Sequence, residues 1–298
     1  MLIFKRLDLN DIIKIKPYFN LSKSMACDNT VGGTFIWRDF FCMEYAAYKE
    51  NFIFKGKFSD DSTVFAMPLG KNTGEITDSL QQIELYCKEN EIPMTIYLAT
   101  EEDIKIIESI YKNIKIIPET DWSDYVYKAS DLAGLAGRKY SGQRNHINFF
   151  KKTFLNYEIK KINPETIQDV RNFFEKYVNT HEKSSLALIE ETKKVFEVLE
   201  NYDIYGQTGI ALYIDGSVVG FAIGEIMSDI LFVHIEKAES EYRGAYQMIV
   251  NEFAKQNMNE NIIYINREDD AGDENLRISK LSYHPEMIIK KYTVEIEI

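Results

Sequence analysis

The chain is poor in cysteine and histidine, and this scarcity excludes two classes of site. Its 3 cysteines, Cys27, Cys42 and Cys87, lie in the first third of 298 residues and show no Cys-x-x-Cys spacing. An odd number placed in this way indicates neither a disulfide framework nor a zinc site. None of the 4 histidines is paired at metal-ligand spacing. We therefore predict no bound metal and a reducing, cytoplasmic environment.

Long apolar runs and an excess of positive charge are also missing. No stretch approaches the roughly 18 uninterrupted apolar residues of a membrane span, and the start MLIFKRLDLND meets charge too early for a signal peptide. The formal net charge of −12 at pH 7 opposes nonspecific binding to anionic partners. The sequence thus predicts no transmembrane segment and no binding to duplex nucleic acid.

The chain has only 6 prolines and no low-complexity tract, so no flexible linker marks a domain boundary. An internal repeat instead indicates the domain organisation. Residues 3–19 (IFKRLDLNDIIKIKPYF) resemble residues 159–174 (IKKINPETIQDVRNFF). Each segment reads as a short basic strand, a capping Asp or Asn, and apolar residues at helical spacing. Residues 83–103 parallel residues 250–270 in the same way. Two halves of similar plan are the simplest interpretation.

This repeat predicts an N-terminal domain of residues 1–130 and a C-terminal domain of residues 131–298, which is expected to carry the active cleft. In the first domain, Phe35 and Trp37 belong to the segment TFIWRDFF. Large aromatic side chains bury about 150–250 Å² each. We therefore expect both to lie mainly in the core, and the alternative is a ligand-facing role.

The hydrophobic pattern of the C-terminal domain predicts its elements. Asp215-Gly216 lies between two apolar runs and predicts a two-residue hairpin, because both turn positions need positive φ. The strand ILFVHIEKA follows, then a helical stripe, the strand NIIYIN, a short helix and a closing strand in MIIKKYTVEIEI. Strands and helices in this order predict an α+β layer with a mainly antiparallel sheet.

Four phrases together resemble the DUF2156 family, which is related to the C-terminal domain of phosphatidylglycerol lysyltransferase. They are TFIWRDFF, DLAGLAGRKYSGQRNHINFFKK, VHIEKAESEYRGAYQMIVNEFA and YINREDDAGDENLRISKLSYHP. The resemblance implies two tandem GNAT-like domains of the acyl-CoA N-acyltransferase fold, with mixed, mainly antiparallel sheets flanked by helices. It also implies a relation to the Fem-type aminoacyl transferases, and it does not identify a substrate.

The turn EYRGAY stands where acyl-CoA-dependent members of the GNAT fold bind the pyrophosphate of CoA. In GNAT enzymes that use acyl-CoA, the turn after the fourth strand reads Gln/Arg-x-x-Gly-x-Gly/Ala, so that backbone N–H groups grip pyrophosphate. Here the turn is EYRGAY, in which only Gly244 fits, Glu241 replaces the cation or amide, and Tyr246 fills a small position. This departure disfavours CoA and favours an aminoacyl-type donor such as aminoacyl-tRNA, or no donor. Tyr242 and Tyr246 are expected either to contact a ligand or to pack in the core.

A basic segment stands out in this acidic chain. Residues 132–157 carry five cations and no acid: Arg138, Lys139, Arg144, Lys151 and Lys152. Arg144 offers a planar fork for phosphate or carboxylate, and Asn145 and His146 add hydrogen-bonding groups beside it. The segment predicts binding of a small anionic donor or substrate, or of one aminoacyl-tRNA end. The alternative is a solvated loop that balances acidic neighbours.

Carboxylates crowd the segment INREDDAGDENLRISKLSYHP. Asp269, Asp270 and Asp273 precede a helix start, where acids complement the helix dipole, and Asp273 is spaced for a pair with Arg277. Capping does not account for the whole pattern, because Glu268 and Asp269 directly follow a predicted strand end.

On the adjacent strand, His234 and Glu236 share one face by the period of two. We predict that Glu236 is a general base or an ammonium anchor, tuned by Glu268 and Asp269. The alternative is that Glu236 forms a salt bridge with Lys280 or Arg277. A cleft is expected where the strands ILFVHIEKA and NIIYIN separate. The side chains predicted to bind substrate there are His234, Asn266, Arg277, Lys280 and Ser282.

Three functions remain open at this level. The first is a transferase that moves an acyl or aminoacyl group to an amine or hydroxyl, with an aminoacyl-type donor or a phospholipid-like substrate. The second is a small-molecule binding or regulatory protein of the same fold without transferase activity. The third is an interaction module whose acidic surface docks a basic partner.

Overall fold

A computed structural model describes residues 2–58, 60–70, 72–180, 185–258 and 261–298. The chain divides into two compact units. The first comprises the residues up to Asp124 together with Ile289–Ile298, and the second comprises Tyr125–Ile288.

The described residues form fourteen strands. In chain order they are β1 (Lys5–Arg6), β2 (Glu44–Tyr48), β3 (Asn51–Lys57), β4 (Thr63–Phe65), β5 (Met94–Ala99), β6 (Ile114–Pro118), β7 (Asp124–Lys128), β8 (Tyr157–Lys161), β9 (Thr208–Ile214), β10 (Ser217–Met227), β11 (Ile230–Ala238), β12 (Tyr264–Asn266), β13 (Met287–Ile289) and β14 (Tyr292–Ile296).

The same residues form eleven α-helices. They are α1 (Ile12–Phe19), α2 (Val31–Ile36), α3 (Thr73–Glu89), α4 (Glu101–Ile110), α5 (Ala129–Gly134), α6 (Ser141–Thr153), α7 (Ile167–Thr180), α8 (Leu186–Glu200), α9 (Tyr202–Tyr205), α10 (Ala245–Asn257) and α11 (Glu274–Leu281). Short 3-10 helices occur at Leu9–Asp11, Cys27–Asn29, Thr120–Trp122 and Arg138–Tyr140.

The strands build two seven-stranded mixed sheets. One has the order β1-β2-β3-β4-β5-β14-β6, and the other has the order β13-β7-β12-β11-β10-β9-β8. Most neighbours are antiparallel, whereas β4 with β5 and β11 with β12 are parallel. The α+β class with mixed sheets flanked by helices is confirmed.

The C-terminal residues form two strands in two different sheets. The prediction of one closing strand in the second half is therefore wrong. β13 joins the second sheet, and β14 lies between β5 and β6 in the first. β14 pairs with both neighbours, and Val294 and Ile296 are buried in the apolar core of the first unit. Period-two alternation predicts a strand here, but it carries no information about which sheet receives it.

The predicted hairpin joins two strands, and the predicted aromatic core residues lie at the end of α2. Asp215 and Gly216 both have positive φ, 48° and 78°, and join β9 to β10, so the predicted hairpin is confirmed. Phe35 is fully buried as expected. Trp37 is only half-buried, with its ring edge-on to Phe40, because it follows the last residue of α2. Trp37 is therefore packed less completely than Phe35.

Candidate functional site

The second sheet opens where β11 and β12 separate. The two strands pair in parallel only over Ile230–Phe232 and Tyr264–Asn266. Beyond Asn266 the chain follows β7 instead, because the Arg267 N–H donates to the Tyr125 carbonyl and the Tyr125 N–H donates to the Glu268 carbonyl. β11 meanwhile continues to Ala238. Side chains from the second half of β11 and from residues 267–270 therefore meet at this opening.

His234 lies on β11 between two carboxylates. Its Nδ1 is 2.6 Å from Glu268 Oε1 and its Nε2 is 2.9 Å from Glu225 Oε1. The imidazole is 1% exposed. Burial alone would lower its pKa, but the two carboxylates outweigh burial and raise the pKa of His234 to about 10. The ring is therefore an imidazolium near neutral pH.

The turn that presents Glu268 is strained and held from two sides. Glu268 has a φ of +58°, which is uncommon for a residue with a side chain. Its N–H donates to Asn266 Oδ1 at 2.7 Å, and Asn266 is fully buried. Lys280 Nζ donates to the carbonyl of Arg267 at 2.6 Å and also to the carbonyl of Asp269. These contacts fix the backbone on both sides of Glu268.

Lys280 is itself buried among carbonyls. Burial and the nearby Arg267 guanidinium lower the pKa of its amine. Its two carbonyl acceptors flank Glu268 in sequence. Lys280 therefore stabilises the turn of the site through its backbone contacts.

Glu236 forms an ion pair with Arg267. Both Nε and Nη2 of Arg267 donate to Glu236 Oε2, at 3.2 and 2.6 Å. The guanidinium is 7% exposed and lies 5.0 Å from the centre of the Tyr283 ring. The alternative prediction, that Glu236 forms a salt bridge, is confirmed. Its partner is Arg267, so the predicted partners Lys280 and Arg277 are wrong. Arg267 follows β12 directly, and this places it opposite β11.

The other acids of the segment shape the start of α11. Asp273 caps the helix by accepting from the N–H groups of Asn275 and Leu276. Asp270 binds Arg277 Nε and Nη2 at 2.8 and 2.7 Å, and the Tyr125 hydroxyl donates to it at 2.5 Å.

Hydrogen bonds from Arg277 and Tyr125 outweigh the effect of burial and lower the pKa of Asp270. Asp269 Oδ1 accepts from the Ala271 N–H at 3.0 Å. Asp269 and Asp270 thus form turns, and Asp273 forms the cap.

The predicted anion-binding residues lie on and just before α6. Arg144 Nη1 donates to the carbonyl of Gly137 at 2.6 Å and to that of Leu135. Lys139 forms a 3.1 Å ion pair with Asp131, and the hydrogen bond to that carboxylate raises the pKa of its amine. Asn145 is exposed. Binding of an anion here stays a prediction.

The start of α6 adjoins the end of α11 within the second unit. Gln143 Nε2 donates to the Ser282 carbonyl at 2.7 Å, and the Ser282 hydroxyl donates to the Ser279 carbonyl. His284 Nε2 lies 3.2 Å from the Lys139 carbonyl. The basic segment is therefore joined by hydrogen bonds to the helix whose Lys280 holds the site turn.

The turn EYRGAY lies at the start of α10. Gly244 is the N-cap residue, with a φ of +95°, and a Cβ there would lie 2.5 Å from the carbonyl oxygen of His146 on α6. The glycine therefore permits a close approach to α6. Tyr242 packs against Phe154, with ring centres 5.4 Å apart, and Tyr246 is exposed.

Sequence reasoning missed two charged residues of the opening. Glu225 is a buried acid in the otherwise apolar strand β10, which is a signal of a partnered charge. Arg267 immediately follows β12, one residue before Glu268. Both residues bind side chains that had been singled out, His234 and Glu236.

Within the ranges that the structure describes, none of the helices combines the length and the apolar character that crossing a membrane requires.

Comparisons with known proteins identify relatives. The profile of the family described as "Phosphatidylglycerol lysyltransferase, C-terminal" matches residues 19–295. An uncharacterised protein of Mycoplasmoides gallisepticum is 28% identical over 201 residues, which are 65% of this chain and 62% of that protein. The chain thus spans less than two thirds of the length of that relative.

Solved structures have the same fold over nearly the whole chain. A conserved protein of unknown function from Bacteroides thetaiotaomicron superposes with a TM-score of 0.88 and 29% identity, covering 100% of both chains. The C-terminal DUF2156 domain of a putative lysylphosphatidylglycerol synthetase from Agrobacterium fabrum has a TM-score of 0.69 and 11% identity, covering 97% of this chain and 92% of that one. FemX has a TM-score of 0.61 and 7% identity, covering 99% of this chain and 97% of its own. The tandem GNAT-like fold is confirmed.

Proposed function

The chain belongs to the phosphatidylglycerol lysyltransferase C-terminal family, and we propose that it is an aminoacyl transferase acting at the opening between β11 and β12. It moves an acyl or aminoacyl group to an amine or hydroxyl acceptor. The observation that supports this most is the buried His234 imidazolium held between Glu225 and Glu268. The backbone strain at Glu268 supports it as well, because such strain concentrates at functional sites.

The charges of the opening favour an amino group. His234 contributes one positive charge and its two glutamate partners contribute two negative ones, so this group of three is negative overall. Glu268 is 21% exposed whereas His234 is 1% exposed. An incoming ligand therefore reaches Glu268 first. An aminoacyl donor carries an ammonium group, and an amine acceptor carries one before it reacts, so either partner suits this site.

Among the three predicted catalytic acids, the contacts favour Glu268 as the group that meets the amine. Glu236 serves as the counter-ion of Arg267 and keeps its guanidinium beside the reacting groups. Asp269, next to Glu268 in the turn, adds negative charge near the ammonium. His234 donates to Glu268 and fixes the direction of its carboxylate.

The chemistry is a single acyl transfer. The acceptor amine or hydroxyl loses a proton to Glu268 and attacks the ester carbonyl of the donor, forming a tetrahedral intermediate. Collapse of the intermediate breaks the ester bond, and the departing hydroxyl of the donor takes up the proton. The new amide or ester is released, and the site returns to its initial charge.

An aminoacyl ester such as aminoacyl-tRNA suits the site better than acyl-CoA. The EYRGAY turn keeps only Gly244 of the pattern that grips pyrophosphate, and Gly244 packs against α6, where a Cβ would lie 2.5 Å from the His146 carbonyl oxygen. Arg144 and Lys139 are then proposed to bind the phosphate-bearing end of the donor, next to α11. Phospholipid-like acceptors remain within the proposal because they offer the required hydroxyl.

A transfer assay tests the proposal. Purified protein is mixed with tRNA charged with radiolabelled lysine or other amino acids, and with either phosphatidylglycerol vesicles or soluble primary amines as acceptors. We expect label to move from tRNA to an acceptor, and Glu268→Gln to slow the transfer by about 100-fold, the usual contribution of a general base. Glu158→Gln, an exposed change on β8, should leave the rate unchanged. Transfer from acetyl-CoA alone would contradict the proposal.

A second function is favoured by one observation. Glu236 and Glu268 already form ion pairs with Arg267 and His234, an arrangement that also suits a binding protein of the same fold without transferase activity. A rise in melting temperature with charged tRNA or an amino acid ester, without any transfer of label, would favour this alternative.

A further inference from the structure

A cluster of a thiol, an amine and two carboxylates, buried except for the partly exposed Asp28, lies in the first unit. Lys291 Nζ is 2.6 Å from Asp124 Oδ1, 2.5 Å from Asp28 Oδ2 and 3.4 Å from Cys27 Sγ. Cys27 Sγ is also 3.3 Å from Asp124 Oδ1. The proposed transfer reaction uses none of these groups.

Regular structure holds the sulfur and the nitrogen in place. The N–H of Cys27 donates to Asp124 Oδ2 at 2.7 Å, and the Thr30 hydroxyl, at the start of α2, donates to the Cys27 carbonyl at 2.6 Å. Lys291 directly precedes β14, and its carbonyl accepts from the Glu119 N–H at 2.9 Å. The two reactive atoms therefore stay close without a change in backbone conformation.

Burial restricts what can react at this cluster. The side chains of Lys291 and Asp124 are fully buried, and Cys27 is 4% exposed. Large thiols and disulfides are excluded by this packing, whereas a small oxidant such as hydrogen peroxide is not. The Lys291 amine lies 3.4 Å from the Cys27 sulfur and is therefore placed to react once Cys27 is oxidised.

We propose that hydrogen peroxide converts Cys27 and Lys291 into an oxygen-bridged crosslink, in which one oxygen atom joins Sγ to Nζ. In the first step the Cys27 sulfur attacks one peroxide oxygen. An S–O bond forms and the O–O bond breaks, giving a sulfenic acid and one water molecule. Asp124 Oδ1, which accepts from the thiol, takes up its proton at the start of this step.

A second molecule of peroxide completes the bridge. The Lys291 nitrogen loses two electrons, which break the O–O bond of this peroxide, and an N–O bond forms to the sulfenic oxygen. The proton of the sulfenic acid and one proton of the neutral amine leave in two molecules of water. In total, the thiol, the amine and two peroxides give one bridge and three water molecules.

The carboxylates supply the proton acceptor that the amine needs. Lys291 must lose its ammonium proton before it can form the N–O bond. Burial, together with the nearby Asp124, outweighs the effect of Lys291 and raises the pKa of the Asp28 carboxyl. Asp28 is therefore suited to take up that proton. An oxygen bridge also requires less movement than a direct S–N bond, because the two atoms start 3.4 Å apart.

Peptide mapping of the oxidised full-length chain tests the crosslink. Cys42 is exposed and would consume peroxide, so the map is made on the Cys42→Ser variant, which leaves the cluster unchanged. After treatment with hydrogen peroxide we expect a joined pair of peptides containing Cys27 and Lys291. Its mass should equal the sum of both peptides plus one oxygen and minus two hydrogens. Adding Cys27→Ser should abolish this species.

Other products would overturn the proposal. Oxygen added to Cys27 on an unlinked peptide would show that oxidation stops at the sulfur acids. A joined pair lacking two hydrogens without added oxygen would show a direct S–N bond. Unmodified Cys27, under conditions that oxidise Cys42 in the unsubstituted chain, would show that peroxide does not reach the cluster. The map does not depend on transfer activity, so failure of the proposed function leaves this result interpretable.

A stability measurement adds a second readout. The bridge would join residues 264 positions apart in the chain, and a crosslink that closes a long loop restricts the unfolded state. The oxidised Cys42→Ser protein should therefore melt at a higher temperature than the reduced one, and Cys27→Ser should remove this difference. A lower melting temperature for the crosslinked species would contradict the inference that the cluster accommodates the bridge.

Discussion

His234 Nδ1 lies 2.6 Å from Glu268 Oε1, and this contact joins a buried strand to a strained turn. Glu225 binds the opposite nitrogen of the ring. The imidazolium therefore offsets one of the two negative charges and fixes the direction of the Glu268 side chain.

The raised pKa of His234 predicts how stability changes with pH. The group has a pKa of about 10 in the folded chain and an ordinary value of 6.5. Its contribution to stability is therefore fully present below pH 6.5 and is lost as the pH rises towards 10. The slope reaches about 1.4 kcal/mol per pH unit for one proton.

Urea unfolding of the unsubstituted chain and of His234→Gln, followed between pH 6 and 9, measures this slope. The difference in free energy of unfolding between the two proteins should shrink as the pH rises. A difference that stays constant over this range would show that His234 is not protonated in the folded protein.

The ion pair between Glu236 and Arg267 predicts a loss of stability on substitution. Glu236→Gln keeps the shape of the side chain but removes the charge that compensates a buried guanidinium. We expect the free energy of unfolding to fall by about 3 kcal/mol, as for other buried pairs that lose one partner. Glu158→Gln, whose salt bridge to Lys160 is exposed, should change it by less than about 1 kcal/mol. Equal effects of the two variants in urea unfolding would refute the structural role of Glu236.

Gly244 and Gly137 offer a matched pair of glycine substitutions. Both have positive φ, 95° and 85°, but a Cβ at Gly244 would lie 2.5 Å from the His146 carbonyl, whereas a Cβ at Gly137 meets nothing within 4 Å. Backbone strain is thus common to Gly244→Ala and Gly137→Ala, and the close contact is not. We expect Gly244→Ala to destabilise the protein by about 1–3 kcal/mol more, measured by urea unfolding. Indistinguishable stabilities would show that α6 moves away without cost.

Phe35 and Trp37 allow burial to be tested within one segment. Phe35 is fully buried, so Phe35→Ala should cost about 3–5 kcal/mol of stability. Trp37 is half-buried and packs edge-on to Phe40. Trp37→Ala should therefore cost clearly less, although the side chain is larger. Chemical unfolding of the two variants checks the order, and a greater loss for Trp37→Ala would contradict it.

Local signals in the sequence predicted local structure well. Asp215-Gly216 specified a hairpin because few residues adopt positive φ at both turn positions. Strand periodicity placed His234 and Glu236 on one face of β11. The resemblance of four phrases to one family indicated the fold of both units, since those phrases include part of α2 in the first unit and parts of β11, β12 and several helices in the second.

Choices between alternative partners could not be predicted in the same way. The alternation in residues 292–296 identifies a strand, but the sheet that it joins depends on long-range pairing. Several cations of the segment after β12 were possible partners of Glu236. The direction of the chain after β12 brings Arg267 to it. Arg277 binds Asp270 through the geometry of the turn before α11. Such contacts depend on three-dimensional packing that spacing alone does not encode.

Binding of a stable donor analogue to the site tests the central claim most directly. The ligand is an adenosine that carries lysine through an amide at its 3′ position and so stands for the end of an aminoacyl-tRNA. Calorimetric titration should show binding to the unsubstituted chain that is tighter than the binding of acetyl-CoA. The affinity should fall at least tenfold, about 1.4 kcal/mol, in Glu268→Gln. It should remain unchanged in Glu158→Gln. Equal binding by the Glu268→Gln variant, or tighter binding of acetyl-CoA, would contradict an aminoacyl site between β11 and β12.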